Sequence, residues 1–194
     1  MTGRRVLAAA LMSGLVGCGG GDTDTSDTAP AAPPEAAPAA LAATTFGMPD
    51  WMEVDAAAGT VVIDLVAGLT EDNNRWNFNG FHSGGGGITV PVGYTVTINM
   101  ENLDGAMAHS VGVDEKSDTY PNVFSDVVPR FPGGVTADPT SMMDATMPGE
   151  SEQITFVADT PGEYALICYV TGHAALGMWI DFNVSAEGEA GALM

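Results

Sequence analysis

The sequence predicts an all-β domain built as an antiparallel β-sandwich. Three observations support this fold class: about seven short segments alternate apolar and polar residues, turn-forming residues separate these segments, and an apolar period of 3.6 residues is nowhere sustained over the length of an ordinary helix. With 194 residues, of which 45% are hydrophobic, the chain can enclose one core of ordinary size.

The clearest strands lie at 88–100. In "ITVPVGYTVTINM" every even-numbered residue is apolar, whereas the odd-numbered ones are Thr, Pro, Gly or Asn. This alternation predicts two half-buried strands that are joined or bent around 91–93. Shorter alternating stretches predict strands at 60–66, 154–158, 164–170 and 178–184. The segment 49–58 leaves room for a short helix.

The N-terminal residues predict an export signal. Arg4 and Arg5 precede a short apolar run at 6–17 that leads into "LVGC", and this ending resembles the lipobox of bacterial lipoproteins. We therefore expect a signal peptide at 1–17, lipid on Cys18, and a protein held at a membrane in the periplasm or at the cell surface. An ordinary secretory signal is the alternative.

The segment 18–45 predicts a disordered tether. It consists almost entirely of Gly, Ala, Pro, Thr and Asp, so it cannot bury enough apolar surface to offset the entropy of ordering. The folded domain is predicted at 46–187, followed by a C-terminal tail at 188–194. Within the domain, 114–150 is rich in Pro, Gly, Asp and Ser and predicts a long irregular insertion.

The charge balance excludes nucleic acid as a partner. The formal net charge is -20, and only Arg75, Lys116 and Arg130 remain as basic residues once the signal is removed. Such an acidic composition is typical of a soluble protein, including one from a salty habitat, and it would also steer the protein towards a basic partner. We expect the domain to act as a monomer.

The segment "CYVTGHAALGMW" at 168–179 contains three candidate metal ligands. Cys168 is an even number of positions away from the apolar residues of the preceding strand. It therefore lies on the same face as these residues, and its sulfur points inward at the strand's end. Met178 shares its parity with the apolar residues of the next strand and also points inward. His173 lies in the loop between them. Cys168 is predicted to be a free thiol, because a disulfide with Cys18 would tie the tether to a buried strand.

A fourth ligand has to come from elsewhere in the chain. The sequence contains three histidines. His109 has the parity of Val111 and Val113 and is predicted to face the core, whereas His82 lies in a glycine-rich loop and is predicted to be exposed without a ligand role.

Two imidazoles, one thiolate and one thioether are typical of a mononuclear blue-copper site that transfers electrons. Taken singly, a buried cysteine or methionine is ordinary core material. The joint pattern, in which four residues separate Cys168 from His173 and four more separate His173 from Met178, favours one copper ion bound with His109.

The segment 168–179 resembles the ligand loop of the cupredoxins, and most closely that of the sulfocyanins, with rusticyanin and plastocyanin as more distant relatives. "WNFNGF" at 76–81 is similar to a sulfocyanin feature, and "AHS" at 108–110 resembles the upstream ligand strand. The resemblance spans about 60–185 and implies a cupredoxin-like Greek-key β-sandwich.

For the site, the resemblance implies that His109, Cys168, His173 and Met178 bind copper. Many cupredoxins have asparagine after the upstream histidine, where this chain has Ser110, as the rusticyanin and sulfocyanin group does. In that group the feature accompanies a high reduction potential, so we expect a high potential here. The resemblance also implies that His173 reaches the surface.

The function predicted from the sequence is a one-electron carrier between respiratory partners, such as a cytochrome or a terminal oxidase. The chain shows no recognisable catalytic constellation, so we do not expect an enzyme. Partners are predicted to dock near His173, on the small apolar patch at 174–177. The alternatives are a copper delivery or storage protein and a metal-free adhesion or scaffold module. Delivery would use Met142, Met143 and Met147, for which apolar packing is the favoured interpretation.

Overall fold

A computed structural model describes residues 46–194 of the chain. The predicted signal peptide, the lipid on Cys18 and the tether lie outside these residues. Within 46–194, no helix is long and apolar enough to cross a membrane.

The described residues form ten strands in two sheets. In chain order the strands are β1 Phe46–Gly47, β2 Met52–Asp55, β3 Thr60–Ala67, β4 Gly87–Pro91, β5 Thr95–Asn102, β6 Gly112–Glu115, β7 Ser151–Val157, β8 Gly162–Ile167, β9 Trp179–Ser185 and β10 Gly191–Leu193. One sheet has the order β1-β10-β4-β9-β8-β6 and the other β2-β3-β5-β7. A short 3-10 helix, Ala174–Leu176, completes the regular structure between 46 and 194, and Asp72–Arg75 is a turn whose last three residues have left-handed φ values.

The predicted all-β sandwich is confirmed, and the alternation explains its core. In β5, Val96, Ile98 and Met100 are at most 1% exposed, whereas the residues between them face outward. A strand presents successive side chains to opposite faces, so this pattern directs one face of each sheet into a common core. The turn at 91–93 separates β4 from β5, as predicted.

Two of the eight strand pairings run parallel: β3 with β5, and β4 with β9. The antiparallel description therefore holds for the other six pairings. Alternation reports which side chains are buried, but it says nothing about the direction of the neighbouring strand, because both kinds of ladder have the same side-chain period.

The edges of the domain differ from the sequence prediction. The segment 49–58 contains β2 instead of a short helix, because Met52 packs into the core and the whole strand pairs with β3. The segment 188–194, which the sequence assigns to a tail, contributes β10 between β1 and β4. The ordered sheet therefore continues past residue 187.

The irregular insertion, predicted at 114–150, is confirmed from residue 116 onward: β6 extends to Glu115, and the structure has neither helix nor strand at 116–150. It is nevertheless anchored to the sandwich. Phe131 is fully buried and stacks on Phe156 at 5.4 Å between ring centroids. Isolated bridges join His109 to Thr146 and Gly112 to Val135. The insertion thus folds back onto the segment that precedes β6.

The β8–β9 hairpin positions the candidate ligands. Ile167, the last residue of β8, pairs with Trp179, the first residue of β9, so the loop 168–178 leaves and re-enters the sheet at one place. Gly177 has a φ of 100°, and a Cβ there would collide with the Ser83 side chain. A glycine is therefore required for this loop to close against its neighbour.

Candidate metal centre

Three metal-binding atoms meet in the interior at one end of the sandwich. The Nδ1 atoms of His109 and His173 lie 3.2 Å apart, and the Cys168 Sγ lies 3.4 Å from the Nδ1 of His173 and 4.0 Å from that of His109. All three side chains are completely buried. The predicted inward orientation of His109 and Cys168 therefore brings their donor atoms to one point.

The backbone of the loop holds Cys168, His173 and Met178 together. Cys168 donates its N–H to the carbonyl of Met178 at 3.1 Å, and Met178 donates to the carbonyl of His173 at 2.9 Å. The Met178 side chain is completely buried in the same apolar core as Cys168. These contacts place Met178 beside the two other loop ligands, and its role as the axial ligand stays a prediction.

His109 is held from the insertion and not by a regular strand. Its N–H donates to the carbonyl of Thr146 at 3.0 Å, in an isolated bridge before β6 begins. The Asn102 side-chain amide donates to the same Thr146 carbonyl at 2.8 Å and to the Met107 carbonyl at 2.9 Å. Asn102 therefore ties the end of β5 to both segments that flank the histidine.

Ser110 contacts the Cys168 sulfur. Its N–H donates to the Sγ at 3.4 Å, and its hydroxyl lies 3.7 Å from the same atom. The Ser110 hydroxyl oxygen in turn accepts the N–H of Tyr169 at 2.9 Å. Burial raises the pKa of the Cys168 thiol to about 11, while the contacts from Ser110 act in the opposite direction by favouring the thiolate.

A buried carboxylate orients His109. The His109 Nε2 lies 3.1 Å from the Oδ2 of Asp104, which is 3% exposed and accepts the N–H groups of Ala106 and Met107 through its other oxygen. An ionised carboxylate only accepts hydrogen bonds, so the Nε2 carries the proton and the Nδ1 presents its lone pair to the site. Burial lowers the pKa of His109, and Asp104 opposes that shift.

Sequence reasoning missed Asp104. The chain contains 25 acidic residues, and a carboxylate five residues before a histidine is not distinctive among them. What sets Asp104 apart is its burial, since Asp is almost never fully buried unless it is paired. Burial of a single acid depends on the packing of distant segments and leaves no signal in local sequence.

His173 has a different environment. Its Nε2 is buried and has no hydrogen-bond partner among residues 46–194. The Trp76 ring stacks on its imidazole, with 4.2 Å between centroids and 21° between planes. Burial, followed by the proximity of His109, lowers the pKa of His173 to about 3. The expectation that His173 reaches the surface is therefore wrong, because an aromatic side chain from a distant turn covers it.

The donor set is suited to one copper ion. Two imidazole lone pairs and a sulfur face the same small space, and such acceptors stay together favourably only when a cation or a proton lies between them. Thiolate and thioether donors suit Cu(I), and imidazoles suit both copper states. His82 lies apart from this cluster, partly buried, with its Nδ1 3.2 Å from the Ser83 hydroxyl.

The methionines of the insertion divide into two kinds. Met147 is partly buried and packs against the main core, which agrees with the favoured interpretation. Met142 and Met143 are 54% and 74% exposed, so for these two apolar packing is wrong. A turn closed by the Ser141 hydroxyl, which accepts the N–H groups of Met143 and Asp144, directs them to the surface.

Comparisons with known proteins agree on one family. The family model of the sulfocyanin (SoxE) domain matches residues 50–190. The sulfocyanin of Sulfolobus acidocaldarius is 29% identical over 123 residues, which cover 62% of this chain and 61% of that protein. The aligned region therefore spans less than two thirds of that relative's length.

The solved structures to which the chain is similar include two auracyanins and a rusticyanin. Dithionite-reduced auracyanin from Roseiflexus castenholzii is 26% identical, covering 64% of this chain and 96% of that one, with a TM-score of 0.44. Auracyanin A, a "blue" copper protein from Chloroflexus aurantiacus, is 22% identical, covering 65% and 99%, with a TM-score of 0.42. Reduced rusticyanin is 21% identical, covering 69% and 88%, with a TM-score of 0.42.

Proposed function

The chain belongs to the sulfocyanin family, and on that premise we propose that it is a one-electron carrier with a single type 1 copper ion. The observation that carries the proposal is the meeting of the His109 Nδ1, the His173 Nδ1 and the Cys168 Sγ, all within 4.8 Å of one another and completely buried. Copper bound there would alternate between Cu(I) and Cu(II) and so accept and release one electron.

The residues around the donors favour binding without large rearrangement. Asp104 keeps the His109 lone pair directed at the site, and Ser110 provides an N–H for the sulfur anion that forms when Cys168 loses its proton. The loop ligands are tied to one another through backbone hydrogen bonds. Because these contacts restrict the rotation of the ligand side chains, the ligand positions would change little between Cu(I) and Cu(II). A small change in geometry keeps electron transfer fast.

A carrier fits this site better than an enzyme. The four proposed ligands His109, Cys168, His173 and Met178 are all completely buried. A substrate would therefore have no direct access to the metal, whereas an electron needs none. This burial supports transfer of electrons over transfer of atoms.

We further propose that the protein is exported and tethered by lipid on Cys18, with a cytochrome or a terminal oxidase as its redox partner. The support is the N-terminal sequence and the acidic composition, which would steer a basic partner towards the domain. The patch at 174–177 offers Leu176, which is 60% exposed, as an apolar contact close to His173. A monomer satisfies this role, since one chain provides all four ligands.

Copper delivery or storage is the second candidate, and one observation favours it. Met142 and Met143 present their thioethers to solvent, where soft donors could take up Cu(I). This function predicts copper that exchanges readily with a chelator and binding that survives the loss of Cys168.

A visible spectrum separates the two functions. Cu(II) is added to the metal-free protein, to Cys168→Ser and to a Met142→Leu/Met143→Leu control. An electron carrier gives an intense blue thiolate-to-copper band that only Cys168→Ser abolishes. A weak, ordinary cupric spectrum that is the same in the wild type and in Cys168→Ser would favour delivery. A protein that stays colourless with Cu(II) and also retains no Cu(I) after gel filtration would refute both.

A further inference from the structure

Trp76 lies between the proposed ligand His173 and the solvent. The two rings are nearly parallel, and their centroids are 4.2 Å apart. His173 is completely buried, whereas Trp76 is only partly buried, with its indole Nε1 inside and without a hydrogen-bond partner among residues 46–194. Trp76 is thus an aromatic residue that contacts the buried His173 and is itself partly exposed to solvent.

The turn that presents Trp76 has an unfavourable backbone. Asn73, Asn74 and Arg75 have φ values of 49°, 58° and 64°, three successive residues in the left-handed region without a glycine among them. Asparagine tolerates this region better than other residues with a side chain, so the cost, about 1–3 kcal/mol, falls mainly on Arg75 and persists only where the surroundings impose it. Strain of this kind concentrates at functional sites, and here it immediately precedes Trp76.

Dedicated hydrogen bonds hold the turn in this conformation. The Asn73 side-chain amide donates to the carbonyl of Trp76 at 2.9 Å, and the Arg75 guanidinium donates to the carbonyl of Gly68 at 3.1 Å. The Asn77 amide, completely buried, donates to the carbonyls of Thr70 and Asp72. The residues on both sides of Trp76 are therefore fixed by their own side chains.

The turn also lies against the ligand loop. A Cβ built on Gly177 would come within 3.4 Å of the Asn73 side-chain amide. The turn and the loop thus approach each other at the Asn73–Gly177 contact as well as at the stack of Trp76 on His173. The indole is therefore presented by a turn that contacts the loop carrying the proposed ligands.

Resting on the proposed electron-carrier function, we propose that Trp76 is the contact through which electrons pass between a partner protein and His173. The partner's one-electron redox centre is oxidised by one electron as Cu(II) becomes Cu(I), and the reverse transfer follows at the acceptor. No bond forms or breaks in the protein, and the indole stays a closed-shell bridge. Electronic coupling decays with distance, so the ring stacked on a ligand is the shortest aromatic path.

The apolar patch at 174–177 is the competing route. It adjoins His173 along the chain, but its side chains are small or aliphatic, and Leu176 is its only large exposed side chain. A partner seated there would have to reach the imidazole through saturated groups and backbone. The two routes predict different sensitive residues, Trp76 or Leu176.

The first test uses the metal-free protein and needs no electron transfer. Diethyl pyrocarbonate is added, and modification of each histidine is measured by mass spectrometry, with the partly buried His82 as the internal reference. We expect His173 to react more slowly than His82 in the wild type, and faster in Trp76→Leu than in the wild type. The control is Trp51→Leu, which removes another partly buried tryptophan that packs against the main core and should leave the labelling of His173 unchanged. Equal labelling of His173 and His82 in the wild type would overturn the proposal.

The second test measures electron self-exchange between the Cu(I) and Cu(II) forms of each variant by NMR line broadening. Self-exchange has no net driving force, so a shift in reduction potential does not affect the comparison, and high salt screens the repulsion between the acidic molecules. We expect Trp76→Leu to slow exchange about tenfold, equivalent to about 1.4 kcal/mol in activation free energy. Trp76→Phe, which keeps an aromatic ring, should be slowed less.

The outcomes of the second test are distinguishable from a failure of the proposed function. A wild type without a blue band contradicts the electron-carrier function itself. A blue wild type whose exchange is unchanged in Trp76→Leu, or is slowed by Leu176→Ala instead, leaves the carrier function standing and overturns the role of Trp76. If Trp76→Leu does not fold, the self-exchange rates of the other proteins decide the question. Slower exchange in Trp76→Phe than in the wild type and Leu176→Ala supports the role of Trp76, and slower exchange in Leu176→Ala alone overturns it.

Discussion

The two histidines of the site have opposite surroundings. Behind His109 lies the buried carboxylate of Asp104, which accepts the imidazole N–H at 3.1 Å. Behind His173 lies the face of Trp76, and the His173 Nε2 has no hydrogen-bond partner within 46–194. One ligand is therefore oriented by a charge and the other by packing, although the same kind of side chain serves in both places.

This difference should act on a bound metal in two directions. A negative charge behind His109 stabilises the more highly charged oxidation state, whereas the unsolvated N–H of His173 disfavours it. The reduction potential then reflects a balance between the two sides. The environment of His173 would raise the potential and Asp104 would lower it, so the high potential that the resemblance implies stays a prediction.

Acid titration of the metal-free protein should show the largest effect. The folded state lowers the pKa of His173 to about 3, so the unfolded chain binds more protons below its ordinary value of 6.5. Above pH 6.5, protonation of His173 does not reduce the free energy of unfolding. Below it, the free energy of unfolding falls by about 1.4 kcal/mol per pH unit, a loss on the order of 3 kcal/mol at pH 4. Denaturant unfolding at several pH values checks this.

The same titration compares the two histidines directly. Because Asp104 opposes the lowering of the pKa of His109, we expect the imidazole of His109 to take up a proton before that of His173. Imidazole NMR resonances that titrate in the reverse order would contradict the contrast between the two sides.

At high pH the effect comes from Cys168, whose raised pKa makes the free energy of unfolding decline as the pH passes 9 towards 11.

Asp104→Asn should have the next largest effect. The amide can donate to the Nε2 of His109 and so move the imidazole proton to the Nδ1, which a metal requires free. Loss of such a partner typically lowers metal affinity about 10- to 100-fold. Competition with a copper chelator measures the affinity, and redox titration should show a raised potential in the copper that remains bound.

Trp76→Leu is the matched change on the other side. Water that reaches the Nε2 of His173 would stabilise the higher oxidation state, so we expect this variant to lower the potential while Asp104→Asn raises it. Shifts of the same sign in both variants would show that the two surroundings do not act in opposition.

Gly68→Ala should have a smaller effect, confined to the His109 side. Gly68 has a φ of 73°, and a Cβ there would lie 2.9 Å from the backbone nitrogen of Asp104. We expect a loss of about 1–3 kcal/mol in unfolding free energy, together with a displaced Asp104. Gly93→Ala is a control for the backbone strain, because its φ is 83° but nothing lies within 4 Å of its Cβ. Equal copper affinity in both variants would argue against any coupling of Gly68 to the site.

Lys116→Gln should have the smallest effect. Its ammonium lies 2.9 Å from Asp181 and 3.8 Å from Glu163, in a partly exposed ion pair outside the ligand cluster. Such pairs contribute less than about 1 kcal/mol, and salt weakens them. Thermal unfolding at low and high salt measures this contribution, and the potential should not change. A shifted potential would show that surface charge, and not the surroundings of the two histidines, dominates the site.

The sequence predicts the four proposed ligands for a physical reason. Alternation along a strand tells which side chains point inward, and Cys168 and Met178 flank a single hairpin loop, so their proximity follows from local geometry. His109 was identified by parity and by the small number of histidines. Its actual support, an isolated bridge to Thr146, was not predictable, because it joins segments separated by the whole insertion.

The β-sandwich, the inward-facing candidate ligands and their spacing can be predicted from the residues alone, since these depend on residue identity and on a period of two. The neighbours behind each histidine, Asp104 for His109 and Trp76 for His173, appear only in the folded chain. Those neighbours come from separate loops, and the burial of a charge or the stacking of two rings depends on how distant segments pack together. The surroundings of the ligands, and with them the balance of the site, are therefore products of the whole fold.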